Sequence, residues 1–349
     1  MRISRKELLA ALLPLKPALA GERTVIVAQK QIWFDGHYAY AHSNSFGVRS
    51  AVDDLVPAWL DFGVPGKLLL DLLTKSKPDS VELEMCGDAG VKLIANVSSV
   101  TLPTMGKKHR PRFYDRPEGE AIATLTVSDD LINGMKSVLI LKPSKVRRLE
   151  HRGISIFSVK HGSDLYTSDS KSIALAEIDE HFALPRAVLL RSFAEQVIKQ
   201  CDKGAVIEFY KDQIRVRATT SLTLFANVLD PRGLVDLPDY ADRCCDPKLA
   251  PPFRIPDGFD AFLEHAMITA GTEEPVLKLQ TSGYSLTASA KFNGSVIEQG
   301  FDVERDLPRR TISVLLTKPL MKVKADRLMI SHDAVAWCGK HSFFFLPSH

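Results

Sequence analysis

Internal repetition constrains this chain more than any other feature. A unit made of a strand end, a helix cap and an amphipathic helix occurs three times, at intervals of roughly 125 residues. The copies are Ile3-Ser4-Arg5-Lys6-Glu7-Leu8, continued by Leu12 and Leu15; Val127-Ser128-Asp129-Asp130-Leu131, continued by Met135, Val138 and Leu139; and Ile255-Pro256-Asp257-Gly258-Phe259, continued by Phe262, Leu263, Ala266 and Met267. Apolar residues three and four apart place one buried stripe on each helix. Ser4 and Glu7 form a capping-box pattern. Asp129 and Asp130 fall in a first helical turn, where carboxylates complement the macrodipole, so capping explains them better than metal binding does. Asp53-Asp54 is another adjacent carboxylate pair that could bind a metal.

A second unit follows each first one. It starts at Val64-Pro65-Gly66-Lys67, at Leu184-Pro185-Arg186-Ala187, and, in a weaker and shorter form, at Ser313-Val314-Leu315. The pattern predicts helices from Pro65 and from Pro185. Leu69, Leu72 and Leu73 form the stripe of one. Leu190, Phe193, Ala194, Val197 and Ile198 form that of the other. Each is trailed by an antiparallel hairpin, read from alternation and short polar turns: Ser80–Met85 with Val91–Val97, Ala205–Tyr210 with Gln213–Arg217, and Arg327–Ile330 with Ala334–Cys338. The expected fold is therefore α+β: three repeated domains, each with two helices and antiparallel sheets. Polar or proline-bearing stretches (Gly106 to Gly119, Asp242 to Pro252) put the domains at 1–116, 117–248 and 249–349, which suits a chain of 349 residues.

The enzyme signatures fail. No dinucleotide fingerprint, zinc-protease motif or nucleophile elbow is present. Gly63-Val64-Pro65-Gly66-Lys67-Leu68 lacks the first glycine of a phosphate loop and has Leu68 where a magnesium-binding hydroxyl belongs. His37 and His42 have no acidic or cysteine partner at ligand spacing. The expectation is no catalytic residues, no metal and no cofactor, hence a binding or scaffolding protein. Forty-five basic and 42 acidic residues give a formal charge of +3, so any DNA contact must come from local arrangement. Five cysteines without a C-x-x-C pair speak for a reducing compartment. The apolar stretch Leu8 to Leu13 is too short for a signal peptide, and no run reaches the roughly 18 residues of a membrane span. A soluble, cytoplasmic protein with no membrane partner is expected.

The order of further motifs resembles the bacterial sliding clamp, the beta subunit of the replicative DNA polymerase, including its phage-encoded relatives. Leu237-Pro238-Asp239-Tyr240 matches the family's phenylalanine-proline-aspartate-tyrosine motif, and Phe343-Phe344-Phe345-Leu346-Pro347 its final strand. Ser168-Asp169-Ser170-Lys171-Ser172-Ile173-Ala174 and Thr101-Leu102-Pro103 match two further stretches, so the likeness runs through the whole chain.

The resemblance implies a ring of six like domains, closed head to tail by two copies of the chain, first domain against third. Helices line the hole and duplex DNA threads through without sequence readout. The function implied is that of a processivity factor tethering the replicative polymerase and other DNA-processing partners, and loaded by a clamp loader. Lys67, Lys75, Lys136, Arg191, Lys199, Lys318 and Lys322 are the expected DNA-facing residues. The segment from Asp257 departs, since Asp257, Asp260 and Glu264 would repel phosphate. The run Lys107-Lys108-His109-Arg110-Pro111-Arg112 reads as a solvated linker loop rather than a DNA contact. A groove for a linear partner peptide maps to His151, Ser168, Ser170, Ile173, Pro238, Arg243, Phe344, Leu346 and Pro347. His151 and Arg243 replace aliphatic side chains and suit a peptide with an acidic residue. Three consecutive phenylalanines cannot share one sheet face, which leaves Phe344 opposite its neighbours, on an apolar surface that needs a partner. The alternatives from other classes are a DNA-processing or repair accessory enzyme on a repeated α+β scaffold, and a structural protein that does not close into a ring.

Overall fold

The computed structural model describes residues 2–348 except 22, 54, 88–89, 97, 112–118, 143–152, 170, 232–236, 245, 247 and 249. The chain divides into two compact units. Unit 1 is Met1–Val127 with Ser192–Val228, and unit 2 is Ser128–Arg191 with Leu229–His349. The helices are α1 (Arg5–Leu12), α2 (Gly66–Lys75), α3 (Asp129–Val138), α4 (Arg191–Gln200), α5 (Leu237–Cys244) and α6 (Phe259–Ala270).

Unit 1 holds a nine-stranded and a four-stranded antiparallel sheet. The four-stranded sheet runs Arg2–Ser4, Ser80–Met85, Val91–Ala95, Ser98–Leu102. In the larger sheet, Gln213–Arg217 pairs with Leu222–Asn227, which pairs with Phe46–Ala51, followed by Tyr38–His42 and Gln31–Phe34. Leu8 of α1 and Leu69 of α2 meet Phe34, Val64, Leu83 and Val91 in one apolar core. The capping expected at Ser4 is present: its Oγ accepts from the Glu7 N–H at 3.4 Å. Arg5, at the start of α1, donates from Nη1 to the Leu73 carbonyl and from Nε to the Pro78 carbonyl, each at 2.8 Å. It so satisfies the Leu73 carbonyl in the last turn of α2 and the Pro78 carbonyl just beyond it.

Unit 2 holds an eight-stranded antiparallel sheet ordered Arg186–Leu190, Gly153–Val159, Gly162–Ser168, Ile173–Ile178, Ser342–Pro347, Ala334–Cys338, Arg327–Ile330, Phe253–Arg254. α3 packs on the side of Ala176 and Ile178, beneath its Gly134. α5 lies on the opposite side, with Leu237, Ala241 and Cys244 against Ile173, Leu175, Ala334, Ala336 and Phe345. Ser128 caps α3, its Oγ accepting from the Leu131 N–H at 3.0 Å. A separate two-stranded ribbon, Val276–Phe292 with Ser295–Leu315, shifts register on either side of Gly283. Phe259 and Phe262 of α6 pack edge-on against its Phe301, at 5.4 and 6.0 Å.

The three expected hairpins form, with Leu83 opposite Leu93, Glu208 opposite Arg215 and Met329 opposite Ala336. Two helix expectations do not hold. Arg186–Leu190 is a strand, paired with Gly153–Val159, and α4 starts only at Arg191. A continuous apolar run in a sheet covered on both faces has no alternation to betray it. Gly153 is required there, because a Cβ would stand 1.9 Å from the Leu189 carbonyl oxygen. Among its described residues the last repeat has one α-helix instead of two. The strand continues to Leu315, and only a five-residue 3-10 helix, Lys318–Lys322, follows. Its Thr317 makes no side-chain cap bond, and five residues are too few to offset helix nucleation. Strand pairs also bridge the expected domain limits: Leu222 lies opposite Ser50, and Ala174 opposite Phe344. Residues 117–248 are thus shared between the two units.

Candidate nucleic-acid interface and partner groove

On the α3 side of unit 2, the end of α3, the C-terminal strand and the stretch after the 3-10 helix enclose a cleft of about 200 Å³. Ile140, Phe343 and Phe344 line it, together with Lys136, Lys322 and Lys324. No carboxylate lines this cleft among the described residues, so three ammonium groups raise a local positive potential suited to phosphate. Lys318 is exposed on the neighbouring 3-10 helix. Arg191 is half-buried rather than exposed. Its guanidinium donates to the Leu139 and Leu141 carbonyls, at the end of α3. It does for α3 what Arg5 does for α2.

In unit 1, Lys67 borders a cleft of about 510 Å³ shared with Lys16, Arg23, Lys30 and Asp71. Lys16 and Lys30 come from two 3-10 helices and Arg23 from a turn between them, and neither periodicity nor a motif pointed to them. Lys75 and Lys199 are exposed in the last turns of α2 and α4, where a cation complements the macrodipole. In the basic run, Lys107 and Arg110 pair with Asp61 at 2.6 and 3.7 Å, and Arg112 lies outside the described residues. The acidic face expected on α6 is present: Asp260 and Glu264 are exposed and border a cleft with Leu320 and Met321.

The groove residues separate into two faces. Ile173 and Phe345 face α5, and Phe343 packs partly against the same cluster. Phe344 and Leu346 point the other way and are wholly buried, as is Phe345. The expected alternation is correct, but the inferred apolar surface is not there. This strand lies inside a sheet with α3 on one face and α5 on the other, so Phe344, Phe345 and Leu346 are core and Phe343 stays half-buried at the edge of the cluster. Phe344 and Leu346 therefore do not reach the α5 side of the sheet. Ser168 is buried, its Oγ donating to the Asp169 carbonyl at 2.8 Å. Pro238 and Pro347 are half-buried. Arg243 is exposed, 3.4 Å from Asp239 and beside the half-buried Tyr240 ring. His151 and Ser170 lie outside the described residues. Burial pushes the Tyr240 hydroxyl pKa up, reinforced by Cys244. Burial likewise holds the Cys338 thiol at about 12, far from a reactive thiolate.

On the same side, Asp164 stands opposite Glu177. Burial raises its pKa to about 6, and Glu177 and Asp242 add to the rise, against the Tyr166 hydroxyl bond at 3.2 Å. Among the described residues no group of three or more His, Cys, Asp or Glu could hold a metal; Asp53 pairs with His37 at 2.8 Å, and Asp54 lies outside them. No described helix is long and apolar enough to cross a membrane.

Sheets joined across repeat boundaries, with strand-led helices on one side, define the fold of the DNA sliding clamp. In particular it is the fold of the DNA polymerase III beta subunit. The structure of that protein from Pseudomonas aeruginosa matches with a TM-score of 0.81 at 14% identity, over 100% of this chain and 99% of that one. Caulobacter crescentus pol III beta matches at 0.82 and 15%, over 100% and 99%. The Helicobacter pylori beta clamp bound to DNA ligase peptide matches at 0.74 and 14%, with the same coverage. No protein-family profile and no curated protein matches the sequence.

Proposed function

We propose that this protein is a non-enzymatic DNA sliding clamp. Its segments 1–116, 117–248 and 249–349 act as three like domains, and two copies close head to tail into a six-domain ring around duplex DNA. The observation that carries this reading is the full-length match to beta clamps. The lysine-lined clefts on the helix side of each unit support it. Lys67, Lys75, Lys136, Lys199, Lys318 and Lys322, joined by Lys16, Lys30 and Lys324, supply loose, salt-dependent contact compatible with sliding. For ring closure, Ser98–Leu102 is an edge strand with four exposed residues in succession, and both strands of the long ribbon are edges, so unpaired backbone is on offer.

Partners, the replicative polymerase and clamp loader among them, dock by linear peptides on the α5 side of unit 2. Ile173, Pro238 and Arg243 form that groove, with Tyr240 and Phe343 in place of Phe344 and Leu346, and with Pro347 at its margin. The ligase peptide held by the Helicobacter clamp supports this mode of docking. The test is retention on DNA after loading by the cognate loader. The protein should stay on nicked circular DNA and run off linear DNA of equal length. Equal loss from both in moderate salt would refute the ring, because electrostatic binding alone does not sense ends.

A further inference from the structure

The nine-stranded sheet of unit 1 has a second face, turned away from α1 and α2. Phe34 enters the core with Leu8 and Leu69. Its neighbour Trp33 points oppositely and clusters with Tyr40 and Phe225. Beside that cluster lies a cleft of about 670 Å³ with three arginines, Arg49, Arg215 and Arg217, against one carboxylate, Glu208. We propose that this cleft docks an acidic linear peptide, whose carboxylates bind the three guanidinium groups.

The guanidinium groups are held in place before any ligand arrives. Arg49 lies 4.5 Å over the Tyr38 ring and donates to Thr223 Oγ1 at 3.3 Å. Arg215 lies 5.8 Å from the centre of the Phe225 ring. Arg217 donates to the Thr220 carbonyl at 3.3 Å. Fixed, planar forks suit carboxylate better than flexible ammonium groups do. Register sets their spacing. Arg217 and Arg49 both stand opposite Thr223, one on each side of it. Arg215 and Arg217 are alternate residues of one strand, roughly 6.5–7 Å apart along it, the same step that separates alternate side chains of an extended peptide.

Two observations favour a peptide over single-stranded nucleic acid. Arg49 lies over the Tyr38 ring and the Tyr210 and Phe225 rings are buried, so among the described residues this cleft has no uncovered aromatic platform for base stacking. Glu208, which accepts from the Tyr210 hydroxyl at 3.1 Å, sits in the same cleft. A phosphodiester backbone brings only acceptors to it, whereas a peptide also brings N–H donors.

The experiment is a fluorescence-anisotropy titration of the full chain, without DNA, at low salt. The probe is a fluorescein-labelled octapeptide alternating glutamate with threonine. The double variant Arg49→Gln, Arg217→Gln should weaken binding by roughly tenfold or more, and the glutamine version of the peptide should bind as weakly to the unaltered protein. Glu208→Gln keeps an acceptor for Tyr210 and should tighten binding, a gain that no folding defect can imitate. Undiminished binding by the double variant or of the glutamine peptide, or no gain from Glu208→Gln, would overturn the proposal. So would tighter binding of oligothymidylate that is lost in the same double variant. The titration needs neither a ring nor a loader, so its outcome is separate from that of the clamp reading.

Discussion

In unit 1 the Leu222–Asn227 strand lies against Phe46–Ala51; in unit 2 the Ile173–Ile178 strand lies against Ser342–Pro347. Each pairing joins segments distant in sequence, and each unit packs helices on one side. The opposite sides differ. In unit 2, α5 covers an apolar cluster centred on Phe345, with Asp164, Glu177 and Asp242 close by. In unit 1 no described helix takes the place of α5, and arginines stand over aromatic rings. One backbone plan therefore carries two surface chemistries, set by which side chains alternate outward from the strands flanking each join.

The largest test of this contrast is removal of a ring from each side. Phe345→Ala should cost about 3–5 kcal/mol, and Phe225→Ala should fall at the low end of that range, since water and Arg215 can enter the space. Denaturant midpoints of the two variants give the answer. Equal losses would mean that the unit 1 cluster is as closed as its counterpart.

A smaller effect separates the faces by charge. The Asp164 carboxyl has a pKa of about 6 in the folded chain, against 3.8 ordinarily. Between those values the folded state keeps a proton that the unfolded state has released. Stability is then highest below that window and is lost as pH rises through about 4 to 6. Asp164→Asn should raise the melting temperature at pH 7, by about 1–2 kcal/mol in stability terms after allowance for solvent screening, and leave it unchanged near pH 4. A gain independent of pH would show that burial and the neighbouring carboxylates do not raise the Asp164 pKa.

The smallest effect compares the caps. Ser128→Ala should cost about 1 kcal/mol, and Ser4→Ala less, because the Ser4 bond is longer and exposed. Thermal melts resolve the order, and a reversal would mean that the first repeat depends on its cap more than its geometry implies.

The caps, the amphipathic stripes and the hairpins were legible in the sequence because each is a local pattern with a fixed period. Arg186–Leu190 was not, since a strand buried on both faces and a buried helix segment share one composition. Phe344 and Leu346 were misjudged for a related reason: alternation tells which residues share a face, but not whether that face is covered. Arg191 looked like a surface cation, and only the fold brings the end of α3 to it. Lys16, Arg23 and Lys30 join Lys67 through tertiary structure alone, and no spacing rule could collect them.

The strand Ser342–Pro347 occupies an interior place in its sheet, flanked on both sides by partners made earlier. On the ribosome, the Ile173–Ile178 and Ala334–Cys338 strands each emerge with one open ladder and keep it until residues 342–347 have also left the exit tunnel. Unit 1 is under no such delay, since its sheet is complete once Asn227 has left the exit tunnel. Synthesis therefore yields a finished first body attached to an unfinished second one. A product cut before Ser342 would expose two strand edges, a marker by which chaperones and proteases can tell a chain that lacks this strand from one that has it.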